Sequence, residues 1–136
     1  MAIAAAGTAQ ASGSIDSGAY TVRYSAVNST TIPATVAQQN GIERDGDTAV
    51  VMITLQKPTP DTPLNAVDLR VTGVAHDLMS NKRTLTFRPV ENAGSRYALA
   101  DVPIEDEQTL TFRLEVRAAD GSAVIPVEFN QTFFTR

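Results

Sequence analysis

The sequence predicts an all-β protein, an antiparallel immunoglobulin-like β-sandwich of about seven strands with one short helical insert. Three observations carry this expectation. Apolar residues recur at every second position from Ala19 onward, turn-forming residues separate these runs, and no alternation of strand and helix appears. A small β-barrel fits the same pattern and is the runner-up. The chain has no Cys and no Trp, so the disulfide-and-tryptophan core of antibody domains is missing and the likeness is one of architecture.

The elements follow in order. Tyr20, Val22, Tyr24 and Ala26 alternate with Thr21, Arg23 and Ser25 in a first strand. Pro33 to Asn40 reads as a short helix, with Pro near its start and Gly41 as its stop. Ala49, Val51, Ile53 and Leu55 form a second strand, which Val50 and Met52 make apolar on both sides. The Pro58 to Pro63 segment reads as a stiff exposed loop. Val67, Leu69 and Val71 mark the third strand, Leu85 and Phe87 the fourth, and Tyr97 and Leu99 a short fifth that Asp101 and Pro103 close. Between the last two, Glu91 to Ser95 makes a hairpin turn.

The sixth strand is the clearest, with Leu110, Phe112, Leu114 and Val116 opposed by Thr111, Arg113, Glu115 and Arg117. Asp120-Gly121 is the strongest hairpin signal and leads into the last strand, carrying Ile125, Val127, Phe129 and Phe133 on one side. Pro126 offers no N–H to a ladder, which places that strand at an edge.

At 136 residues and 14.5 kDa the chain holds one domain, expected over 18–136. Residues 1–17 read as a flexible leader of Ala, Gly and Ser with one charge, Asp16. Ala9-Gln10-Ala11 fits a signal-peptidase site, but no Lys or Arg precedes Arg23, so a signal-peptide remnant cleaved after Ala11 and a plain flexible leader both stand. A net charge of −4 argues against a nucleic-acid partner, and no apolar run reaches membrane-spanning length. With no Cys, a thiolate metal site and a cysteine nucleophile are excluded.

Chemistry is sparse. His76, the one imidazole, ends a strand without a glycine-framed serine elbow to serve; Ser12-Gly13-Ser14 lies in the leader. The acidic run Asp101, Glu105, Asp106 and Glu107 would supply oxygen ligands or a carboxylate pair, yet it lacks the alternate spacing and central Gly of a calcium loop. A solvated turn is the expected role, and no cofactor or metal is expected. Asn28, Ser29 and Thr30 are expected to satisfy backbone groups where the first strand turns toward the helix.

The stretch Tyr20 to Thr30, followed by Pro33, Val36-Ala37 and Gly41 to Arg44, resembles a family of small exported bacterial proteins, the domain of unknown function 4426 family. The resemblance continues through Val71-x-Gly73-x-Ala75, Leu85 to Glu91, Tyr97 to Ala100, Glu107 to Phe112 and Phe129-x-Gln131-x-Phe133. Arg23 stands where the family pattern has His, Val27 where it has an aromatic and Asn40 where it has Tyr; the Pro58 to Pro63 loop has no counterpart. The resemblance implies a periplasmic location and brings no activity, cofactor or catalytic residue.

The functional expectation is a non-catalytic binding or accessory module for a protein partner or envelope component, with an envelope hydrolase or metal-stabilised domain using the loop near Glu105 as the alternative. The candidate binding residues are Tyr24, Asn28 and Arg44 converging with Arg88, together with Phe134 on a last strand open to β-addition.

Overall fold

The computed structural model describes residues 11–61, 67–92, 95–121 and 123–135. It contains nine strands: β1 (Ala11–Ser17), β2 (Tyr20–Asn28), β3 (Thr48–Gln56), β4 (Leu69–His76), β5 (Lys82–Thr86), β6 (Arg88–Asn92), β7 (Ser95–Pro103), β8 (Gln108–Ala118) and β9 (Val124–Phe133). They form a five-stranded sheet of order β1-β2-β3-β7-β6 and a four-stranded sheet of order β5-β4-β8-β9. Every pair is antiparallel, and the two sheets make a sandwich rather than a barrel.

Period-two burial builds the core. Val22, Ala26, Val51, Ile53 and Leu55 of the first sheet meet Val71, Ala75, Phe112, Leu114, Val116, Val127 and Phe133 of the second. Phe129 stacks on Tyr24 at 4.5 Å and on Phe112 at 4.9 Å, joining the sheets on the β1–β9 side.

The both-sided apolarity of β3 has a separate cause. Helix α1 (Ala34–Gln39) and its flanks cover the outer face of the first sheet, placing Ile32, Ala37 and Ile42 on Val50 and Leu99. Gly41, at φ 68°, ends the helix, and the Ile42 N–H donates to the Ala37 carbonyl at 2.8 Å. This is the glycine stop expected from the sequence, completed as a six-to-one C-terminal bond.

Two strands exceed the seven expected, and the ordered chain starts earlier than residue 18. Ala11–Ser17, assigned to the leader, is β1, paired along its whole length with β2 through the Gly18-Ala19 turn. Its residues are small and polar apart from Ala11 and Ile15, so strand pairing and not a hydrophobic pattern makes it a strand. Residues 1–10 lie outside the described residues, and so does most of the signal-peptidase pattern. The second addition is β6, where Pro89 and two charged residues mask a strand at the edge of the first sheet. At the far side Pro126 lies in β9, the edge strand of the second sheet, as its missing N–H requires.

Candidate functional site

Strand β5 pairs with β4 only from Thr72 to His76 and then leaves the second sheet. After the single residue Phe87 the chain continues as β6 in the first sheet, pairing with β7. The switch leaves the first half of β4 without a strand on that side, and the sheets part there. The resulting cleft, about 700 Å³, is within the range of small-ligand sites.

Leu69, Val71, Phe87, Pro89, Val90 and Tyr97 give the cleft apolar walls. Charge collects around them: Arg70, Arg88 and Arg96 against Asp68 and Glu91, an excess of one positive charge in a chain that is negative overall. Arg96 ties the sheets together there. Its Nε donates to Glu91 Oε2 at 3.2 Å on β6 and lies 3.3 Å from Asp68 Oδ1 just before β4. Both ion pairs are exposed, so together they stabilise the fold by no more than about 1 kcal/mol.

Of the candidate residues read from the sequence, Arg88 alone lines this cleft. Its guanidinium bonds Asp101 Oδ2 and the Gly41 carbonyl, each at 3.1 Å, fastening β6 to the helix stop. Arg44 donates instead to the Thr30 carbonyl at 2.8 Å, and Tyr24 is taken up by its stack on Phe129. Asn28 and Phe134 do meet, through an Asn28 Nδ2 bond to the Phe134 carbonyl at 2.5 Å. The expected convergence of Tyr24, Asn28 and Arg44 with Arg88 is therefore replaced by four separate sets of contacts.

At the turn after β2, of the three side chains expected to satisfy local backbone groups Ser29 does so, Thr31 acts where Thr30 was expected, and Asn28 reaches across to Phe134. Ser29 Oγ donates to the Asp45 carbonyl and accepts from its N–H, both at 2.8 Å, and Thr31 Oγ1 donates to the Asn28 carbonyl at 2.7 Å. Asn28 is 7% exposed, and its amide secures the chain end to β2. Asn28→Ala is accordingly expected to cost about 1–2 kcal/mol by removing a buried bond and leaving the Phe134 carbonyl unmet. The loss is read as a lowered Cm in urea unfolding. Asn40, overlooked as a mere departure from a family pattern, is a second such hub: its Oδ1 accepts from Tyr97 Oη and its Nδ2 donates to the Val36 carbonyl, both at 2.8 Å.

The carboxylates of the acidic run do not converge either. Asp101 faces Arg88, Asp106 Oδ1 accepts the Thr135 N–H at 2.9 Å, and Glu105 and Glu107 are exposed on the turn before β8. Among the described residues no group of three His, Cys, Asp or Glu side chains is placed to hold a metal ion.

Next to His76, Asp77 organises the β4–β5 hairpin. Its Oδ1 accepts the N–H groups of Met79 and Asn81, and its Oδ2 accepts Asn81 Nδ2. The Asn81 side chain and then its backbone N–H hold the carboxyl below its ordinary value; desolvation opposes them, and the Met79 N–H and the charge of His76 lower it further. A depressed carboxyl stabilises the hairpin above the ordinary carboxylate range, and the contribution is lost as pH falls through the lowered value. Asp77→Ala is expected to speed hydrogen exchange at the Met79 and Asn81 amides at neutral pH, while leaving global unfolding nearly unchanged.

A family model described as Domain of unknown function (DUF4426) matches residues 14–136. The chain belongs to the DUF4426 family. A crystal structure of a DUF4426 family protein from Pseudomonas aeruginosa PAO1 is 29% identical, with a TM-score of 0.77 over 90% of this chain and 94% of that one. The DUF4426 fold also resembles FetP of a uropathogenic Escherichia coli strain, recombinantly expressed in the periplasm, at TM-score 0.62 and 6% identity over 92% of this chain and 96% of that one. A copper-bound variant of FetP matches at TM-score 0.60 and 7% identity over 91% and 95% of the two chains. At such identities the likeness to FetP is one of fold. No curated protein matches the sequence. The match takes in the second half of β1, from Ser14 to Ser17, and so reaches into the segment read from sequence as a leader.

Proposed function

We propose that this DUF4426 protein is a non-catalytic binding module of the bacterial periplasm that holds a partner in the cleft between β4 and β6. The cleft itself carries the reading. It joins apolar walls to charged groups at a place where the sandwich is open, whereas the opposite side is closed by the stack of Tyr24 on Phe129. The family resemblance, and the fold shared with a protein expressed in the periplasm, support the location. No helix among the described residues is long and apolar enough to cross a membrane.

Pro89 is exposed on the edge strand and lines the cleft, so Pro89→Trp fills the space without entering the core. Immobilised wild-type and Pro89→Trp chains would be exposed to an envelope extract of the native host. A component retained by the wild type and lost from a Pro89→Trp chain of unchanged Tm is the expected result. Equal retention by both, or by neither, overturns the reading.

A further inference from the structure

We propose that the cleft receives an extended acidic peptide as an added β-strand; this rests on the cleft being the binding site and names the chemistry of its occupant.

The first ground is the order of the lining residues. Asp68 to Thr72 and Phe87 to Glu91 border the cleft as two unbroken runs. Successive side chains of a strand point to opposite faces, so a surface met by consecutive residues follows the strand's backbone edge. The cleft is bounded by two such edges, those of β4 and β6.

The second ground is the direction of the backbone groups. The Ala119 N–H donates to the Asp68 carbonyl at 3.0 Å, at the head of the β4–β8 register. Bonded pairs alternate along an antiparallel ladder, so Asp68, Arg70 and Thr72 direct their groups to β8 and Leu69 directs its N–H and carbonyl to the opposite side. The bond from the Asp77 N–H to the Asn81 carbonyl, on the β5 side, has the same odd parity as Leu69. Pairing with β5 stops at Thr72, so Leu69 faces the cleft with no strand of the described residues beside it. Unpaired edge groups of this kind are what an added strand bonds.

The third ground is charge. Arg88 is paired with Asp101 and Arg96 with both Glu91 and Asp68, whereas Arg70, exposed on the lining, is in none of the ion pairs found among the described residues. An arginine with free terminal nitrogens pairs a carboxylate with two parallel bonds. A peptide strand with apolar residues toward Leu69 and Phe87 and an Asp or Glu toward Arg70 matches both features.

The test pans a phage-displayed random heptapeptide library on the purified full chain and measures synthetic copies of the enriched peptides by fluorescence polarisation. Enrichment of alternating apolar residues with Asp or Glu is expected. Methylating the peptide's amide nitrogens one at a time should weaken binding at least tenfold at alternate positions and little between them. Arg70→Gln should weaken acidic peptides several-fold, and Pro89→Trp should abolish binding. Peptides that need the open cleft but are indifferent to amide methylation overturn strand addition and leave the cleft as the binding site. A library that yields nothing, while the extract experiment still depends on Pro89, does the same. Peptides insensitive to Pro89→Trp overturn the inference outright.

Discussion

Phe112→Ala is expected to lower unfolding free energy by about 3–5 kcal/mol, the largest effect of any substitution considered for this chain. Phe112 has no exposed surface; its ring stacks on Phe129 and meets Phe133 edge-on at 6.3 Å. Through Phe129 the same cluster reaches Tyr24 of the opposite sheet, so truncation removes the centre of a bridge between layers. Its strand pairs with β4 and β9 on its two sides, where Phe112 lies opposite Ala75 and Phe129, and these ladders limit collapse into the space. Urea unfolding monitored by circular dichroism measures the change. A loss below about 1.5 kcal/mol would mean that the core refills, as cores do for conservative exchanges.

Gly73→Ala is expected to cost about 2–3 kcal/mol, or roughly 10 °C in Tm, although it adds one methyl group. A Cβ at Gly73 would lie 2.8 Å from the Leu114 Cα and closer still to the Arg113 carbonyl oxygen, both backbone atoms of β8. A flexible side chain would yield to it, but the neighbouring strand is held between β4 and β9. The glycine of the Val71-x-Gly73-x-Ala75 motif is thereby explained by the close approach of two strands. A Gly73→Ala chain with wild-type Tm would show that the β4–β8 pair can separate locally.

Much of the fold is legible because one-sided burial writes itself as a period of two. Strand β8 buries Leu110, Phe112, Leu114 and Val116 and is unmistakable, and Pro126 and Gly41 mark an edge and a helix end through what each backbone can do. Strands β1 and β6 lie at the two edges of one sheet, where a strand has one neighbour and less to bury. Their composition answers to pairing, so Ser12, Ser14 and Pro89 hide them. The cleft is illegible for another reason. It arises where β5 changes sheets at Phe87, and nothing in the alternation of Leu85 and Phe87 distinguishes a strand that stays from one that crosses. The sequence does point to Arg88, whose partners are Asp101 and the Gly41 carbonyl and not Tyr24, Asn28 and Arg44. Asn28 and Phe134 do come together, in a bond that secures the chain end.

Strand β9 has a consequence for how the molecule comes into being. It is the last strand in the chain, yet it supplies Ile125, Val127, Phe129 and Phe133 to the interior and is the sole partner of β8 on that side. The core therefore cannot close until β9 docks on β8, and the Asn28–Phe134 bond joins residues 106 positions apart. Contacts so distant in sequence cost loop-closure entropy before they stabilise anything, which slows the folding of this topology.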